Sequence, residues 1–470
     1  MRIIVLFLVA MLGACATDPA VMVRGMDEAT FRSELQRRFN YPPPQPAPAR
    51  LPNASAGQIA DAAYFTHFPE YDRSYSPRAR AQAHRLAERL RADAGGLSRE
   101  QFILRVSEIA ALADNAHTQS MTLAPSVPSI PLRMYLFADG LRVLYANEDN
   151  ADLIGAQIDR IEGRGIDDIY SAILRYQGGG TPARRRLMLS PMLETPALLE
   201  AAGIAQNKDS IVISGILLDG TPFERRLVAE QSVRPPLPFD TARLLFPHHV
   251  SNMRGLSTGE LPISLQNSDA TFWSAPFNDG LYVRLTENID RRLETFVDGV
   301  LTQVRQKQPP FIIIDMRMNN GGDYTRTYGF ARALPEAARG ARIYVLTSPW
   351  TFSAAITTIA ALKDQGGNQI IIVGEDVGDR LDFWSEVGMY TLPNTRVAVL
   401  YARARHVYNG PCRNLDTCYW LNYLYPVRVR TLHPDIVVPW TFAAYREGRD
   451  PALEAVRTRQ ARVRSNVDRR

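Results

Sequence analysis

From about Leu281 to Val373 the chain alternates two apolar patterns. Short continuous runs, Phe311 to Asp315, Ile343 to Leu346 and Ile370 to Val373, read as strands buried on both faces. The segments between them carry apolar residues at helical spacing. Thr286 to Gln306 places Leu293, Phe296, Val297, Val300, Leu301 and Val304 on one stripe, and Tyr324 to Leu334 and Ser353 to Leu362 are the next predicted helices. Strands alternating with helices predict a parallel βαβ core with its ligand site at the carboxyl ends of the strands. Two features fall at such ends. One is the turn Asn319-Asn320-Gly321-Gly322 after Asp315, and the other is Ser353 in PWTFSAA.

Upstream the pattern differs. Residues 55–115 read as helical: Ala81 to Arg91 places Leu86 and Leu90 on one face and stops at Gly95-Gly96. Ser98 with Gln101 then forms a capping-box pattern ahead of Phe102, Ile103, Val106, Ile109 and Leu112. That helix runs out at ALADNAHT, which leaves His117 just past its end. Residues 130–235 alternate short strands and turns. Leu153 to Leu174 has the strand, Gly turn, strand and helix order of PDZ-like modules, a loose match that equally describes a β-rich insert.

The N-terminus reads as targeting. MRIIVLFLVAMLGAC has one Arg and an apolar run far short of the ~20 residues that span a bilayer, so it reads as an export signal. Leu-Gly-Ala-Cys resembles the bacterial lipobox, which implies diacylation of Cys15 and, with Ala16 following, an outer-membrane anchor facing the periplasm. Ala14-Cys15-Ala16 also fits a plain secretory cleavage site. The Pro-rich YPPPQPAPARLP makes an extended spacer after it. The expected division is 1–15 signal, 16–54 tether, 55–125 helical domain, 126–235 β-rich segment, 236–445 catalytic core and 446–470 basic tail.

Composition adds exclusions. The chain has 470 residues and a net charge of +5. Lys208, Lys307 and Lys363 are its lysines, so arginine carries the positive charge on a solvated surface. An exported chain is not expected to bind nucleic acid. Cys412 and Cys418, in GPCRNLDTCYW, are expected to form a local disulfide in an oxidising compartment. One Cys pair near His406 lacks the ligand spacing of a metal site, and no cofactor is expected.

The chemistry converges on Ser353. A serine at a helix start is most often a cap, but glycines beside it expose backbone N–H groups that could hold a developing oxyanion. ALADNAHT, FIIIDMRMNNGG, TFSAA, IIIVGEDVGD and LHPDIVV occur in the order of motifs in the tail-specific (C-terminal processing) and tricorn-like serine peptidases, which read roughly DgHT, DLRgNgGG, SAxE, GExTxGK and PDI. Over residues 55 to 440 the chain resembles that family. The resemblance implies an α/β fold, α+β overall, with a ClpP/crotonase-like core, and a protein or peptide substrate. Some members pair the serine with the lysine of GExTxGK; tricorn-like members use a distant histidine and a glutamate. Asp379 stands at the lysine position here. Lys363 ends the helix that Ser353 begins, about 15 Å away at 1.5 Å per residue. His117, matching DgHT, is therefore the expected general base. The expected oxyanion donors are the N–H groups of Gly321 or Gly322 and of Ala354. Glu386 in FWSEVG is the first choice for the acid that orients His117, and Glu375 in VGED the second. Ile356 replaces the SAxE glutamate, and no glutamate precedes PDI. Rival readings are a binding protein using LDFWSEVGMYTL to line an apolar pocket, and an esterase or lactonase.

Overall fold

The structure is a computed structural model that describes residues 53–121, 127–230, 245, 260–414, 416–419, 422 and 426–467. The signal segment with Cys15 and the Pro-rich tether lie outside the described residues. Three helices of more than ten residues come first, α1 (Ala54–Phe65), α2 (Pro77–Asp93) and α3 (Arg99–Ala111), with a single helical turn at Phe68–Tyr71 between the first two. The capping box is present at α3, where Ser98 Oγ accepts from the Gln101 N–H and the Gln101 side chain accepts from the Ser98 N–H. The helix stops before the loop that carries His117.

An antiparallel sheet follows, in the order β1 (Leu132–Phe137), β2 (Gly140–Ala146), β3 (Gln157–Ile161), β5 (Ser210–Ile216), β6 (Pro222–Val228), with the short β4 (Arg164–Gly165) paired to β3. Helices α4 (Ile166–Ile173) and α5 (Pro182–Leu189) lie between β4 and β5. The strand, Gly turn, strand, helix order read at Leu153 to Leu174 is therefore realised.

The second sheet is built from the βαβ segment. Its elements along the chain are β7 (Phe272–Phe277), β8 (Gly280–Leu285), α6 (Arg292–Lys307), β9 (Phe311–Asp315), α7 (Thr325–Ala337), β10 (Arg342–Thr347), α8 (Ala354–Gly366) and β11 (Ile370–Gly374). Two small hairpin-like pairs, β12 (Asp382–Ser385) with β15 (Ala404–Val407) and β13 (Gly388–Thr391) with β14 (Ala398–Tyr401), precede β16 (Ile436–Val437) and the final helix α9 (Pro451–Val467). The spatial order is β16-β11-β10-β9-β8-β7, parallel except for the β7–β8 hairpin. Every residue of β9 and β11 is buried, as their continuous apolar runs require. A disulfide joins Cys412 and Cys418.

Three expectations change. The helix read from Thr286 begins only at Arg292, because Asn288 pairs its backbone with the glycine turn instead: its N–H donates to the Gly321 carbonyl and its own carbonyl accepts from Asp323. Residues 451–467 are not a solvated tail but helix α9, which sets Leu453 and Val456 against Tyr344 and Val373 on one face of the sheet. The arginines on its outer side hid that stripe. The helical, β-rich and C-terminal segments, expected to be separate, also share one apolar cluster, in which Tyr390 of β13 meets Phe65, Phe68 and Tyr64.

Arg317 ties α9 to the end of β9. Its guanidinium donates to Asp315 and to Asp450, the residue before α9, and all three side chains are buried. Arg317→Met leaves two carboxylates buried without their cation, an expected loss of about 3–5 kcal/mol. Urea unfolding checks this, as a lower midpoint at unchanged m.

Candidate active site

The loop between β10 and α8 is fastened to the end of β9. Ser348 Oγ donates to the Arg317 carbonyl, Thr351 Oγ1 to the Met316 carbonyl at 2.9 Å, and the Phe352 N–H to the Asn319 carbonyl at 3.0 Å. The loop delivers Ser353 with φ 55° and ψ −120°, outside the helix that begins at Ala354. A non-glycine residue held there costs on the order of 1–3 kcal/mol and persists only where its surroundings enforce it. The Ser353 side chain makes no capping bond. Its Oγ lies 2.9 Å from His117 Nε2, across a sequence separation of 236. The serine is not a cap.

His117 is mounted on a loop with its own supports. Asn115 accepts from the Trp384 N–H and donates to Thr118 Oγ1, which donates to buried Asp72. The imidazole stacks between Phe352 and Phe383, at centroid distances of 4.4 and 5.5 Å. The turn Gly178-Gly179-Gly180 packs on this loop so tightly that a Cβ on Gly179 would fall 2.1 Å from the Ala116 nitrogen. Sequence reading passed over these glycines, although three in a row before a helix marks a close backbone approach. Burial, helped by the charges of His406 and Arg184, pushes the His117 pKa down to about 3. The ring is therefore neutral, as a base must be. A reaction that uses His117 as its base is expected to show an acidic limb of the rate–pH profile below the ordinary histidine value of ~6.5. The rate at which a fluorophosphonate modifies Ser353, followed against pH, measures it; a limb at or above ~6.5 contradicts the buried geometry.

The expected acids are elsewhere. Glu386 meets His406 Nε2 at 3.2 Å, with the Phe383 ring between His406 and His117. Glu375 lines a cavity of about 590 Å³ with Tyr135, Asp159, Arg186, Pro349 and Trp440, a cavity that His117 does not line. Asp379, read from sequence only as the residue at the lysine position, is the carboxylate that faces the ring instead. Its Oδ2 lies 4.0 Å from His117 Nδ1; both atoms are buried and neither has a hydrogen-bond partner. Burial pushes the Asp379 pKa up to about 7, against the pull of the Arg380 N–H and the charges of Arg380 and Arg184. Two unpaired groups facing each other need only a small closure to bond, and such contacts are often long in unliganded enzymes. The signal was available: an acid where the lysine is lost, in a chain whose candidate base is a histidine.

The glycine turn is also assigned more finely. The Gly321 N–H donates to Asn319 Oδ1 at 2.9 Å and is taken. The N–H groups of Gly322 and Ala354 have no hydrogen-bond partner among the described residues. Gly321, with φ 103°, must be glycine because a Cβ would sit 2.7 Å from Ser353 Cβ. Gly322, with φ 132°, brings its Cα against the Asn288 backbone, 2.7 Å from the place of a Cβ. Asn319 Nδ2 donates to Asn288 Oδ1, and Asn288 to Thr327, so buried amides lock the turn. The site thus offers a nucleophile, a neutral base, a facing acid and two unpaired N–H donors. Lys363 pairs with Asp435 and plays no part in it.

The comparisons concern the fold. A scan against family models and a search of curated proteins both find no match. Among solved structures, mature CPAF complexed with lactacystin superposes with a TM-score of 0.57 at 13% identity, covering 88% of this chain and 99% of that one. Mature CPAF alone gives a TM-score of 0.53 at 13% identity, with 84% and 95% covered. A photosystem II D1 C-terminal processing protease matches at a TM-score of 0.34 and 13% identity over 83% and 94%, too loosely to carry weight. The chain has the CPAF-like α/β fold.

Proposed function

We propose that this chain is a serine endopeptidase, exported and tethered through Cys15, that cleaves peptide bonds by way of a Ser353 acyl-enzyme. The observation that carries the reading is the 2.9 Å contact between Ser353 Oγ and His117 Nε2, made by a serine in a strained backbone conformation. The CPAF-like fold and the order of the sequence motifs support it. Ser353 Oγ attacks the scissile carbonyl carbon as its proton passes to His117 Nε2. The oxyanion is held by the Gly322 and Ala354 N–H groups. The imidazolium turns its Nδ1–H towards Asp379 and then protonates the leaving amine as the C–N bond breaks. Water, deprotonated by the same histidine, attacks the acyl-enzyme and releases Ser353.

The test is covalent labelling of the full chain with a fluorophosphonate, followed by peptide mapping. The adduct is expected on Ser353. An adduct on another residue, or none, counts against the reading.

A further inference from the structure

Arg184 stands on α5, outside the core sheet, and is 2% exposed. Such a guanidinium ordinarily has a carboxylate partner, yet Arg184 has none at ion-pair distance among the described residues. Its contacts go to the two loops that build the site. Nη2 donates to Asn320 Oδ1, in the glycine turn, at 2.6 Å, and Nη1 approaches the Pro349 carbonyl, in the nucleophile loop, at 3.4 Å. The plane lies over Phe352, whose ring also stacks on His117, at 4.2 Å, and over Trp350 at 5.4 Å. Gly180 and Gly378 leave room for its stem: a Cβ on either would fall 3.3 and 3.1 Å from it.

We propose that Arg184 is a positioning residue, reaching from the β-rich segment to hold the oxyanion turn and the nucleophile loop in register, with its positive charge on the same Phe352 ring that stacks on His117. This rests on the Ser353–His117 reading. The forked guanidinium matches two acceptors on separate loops, which a lysine cannot do. A methionine would fill the volume without desolvating a charge, so packing alone gives no reason for arginine here. Burial lowers its pKa to about 9, which leaves it cationic at neutral pH. The charge disfavours the imidazolium, so His117 stays available as a base. The other titratable and charged groups around His117 are Asp379 and Arg380 after β11, Asp114 on its own loop, and Glu386 and His406 behind Phe383. None of them is substituted in the test below, and Asp379, whose pKa the Arg184 charge lowers, shifts upward together with His117 in Arg184→Met.

The test measures the fluorophosphonate labelling rate of Ser353 against pH, with the melting temperature, for the wild type, Arg184→Met, Arg184→Lys and Asn320→Ala. Arg184→Met is expected to label about 10- to 100-fold more slowly, because oxyanion donors lose their register. Its acidic limb moves to higher pH, since removing a nearby positive charge raises the His117 pKa. Arg184→Lys keeps the charge, so the limb stays while the rate falls. Asn320→Ala removes one acceptor, and again lowers the rate at an unmoved limb. Arg184→Met labelling within about twofold of wild type with the same limb overturns the proposal, because positioning losses are larger than that. If Arg184→Met does not fold, wild-type rates in both Arg184→Lys and Asn320→Ala overturn it. A wild type that is not labelled on Ser353 instead sinks the underlying hydrolase reading.

Discussion

Ser353→Ala is expected to lower peptide hydrolysis by about four to six orders of magnitude, as removal of a nucleophile that acts as a unit with its base does. The substitution deletes one oxygen and leaves His117, Asp379 and the unpaired Gly322 and Ala354 N–H groups where they are. Stability is not the route to the loss. The replacing alanine must adopt the same φ of 55°, a conformation no easier for alanine than for serine, and the bond lost with Ser353 Oγ is its contact with His117, about 1 kcal/mol. The melting temperature is therefore expected within a few degrees of wild type while turnover collapses. Steady-state hydrolysis of a peptide library beside a thermal melt separates the two. Retention of a tenth of the activity means that the nucleophile is another residue.

Asp379→Asn is expected to cost about two to four orders of magnitude in kcat, because the imidazolium loses its facing carboxylate and the ring its preferred tautomer. The same change is expected to stabilise the chain in alkaline buffer. The folded pKa of Asp379 is raised from 3.8 to about 7 by burial, so the native state favours the protonated acid. For a raised carboxylate the penalty is absent well below the unfolded pKa and grows as pH rises from 3.8 through about 7. Asparagine resembles the protonated form and escapes that penalty. The variant therefore gains melting temperature over wild type at pH 8 and little or nothing near pH 4. Loss of activity with a gain of stability is the signature of an acid kept for chemistry. Glu386→Gln serves as the control. Glu386 meets His406 rather than His117, so its loss is expected to leave most of the activity. Equal losses in the two variants would reassign the acid.

Much of the core was legible because it is local. FIIID and IIIV are continuous apolar runs, and nothing but a doubly covered strand accommodates them between helical segments. NNGG announces backbone that only glycine adopts, and the Ser98–Gln101 box marks its helix start within four residues. His117 was found through a motif and through the absence of any lysine near Ser353. The failures are equally specific. Glu386, the first choice for the acid, pairs with His406, and the Phe383 ring stands between His406 and His117. The stripe that begins at Leu293 was read back to Thr286, but the backbone of Asn288 is taken by the glycine turn. Arginine on the outer face of α9 disguised the inner positions Leu453 and Val456.

Sequence alone determined that a buried parallel sheet ends in a glycine turn beside a serine, and that the base, if there is one, is a histidine far upstream. The sheet and the turn follow from apolar periodicity and glycine's access to positive φ, and the histidine is what the resemblance to the tail-specific and tricorn-like peptidases implies once no lysine stands near Ser353. The tertiary structure decided which acid faces that histidine, which N–H groups remain unpaired, and that Arg184 enters from another segment. Each of these depends on distances between elements more than a hundred residues apart or on which atoms have already found partners. Such distances follow from packing, and no local pattern encodes them.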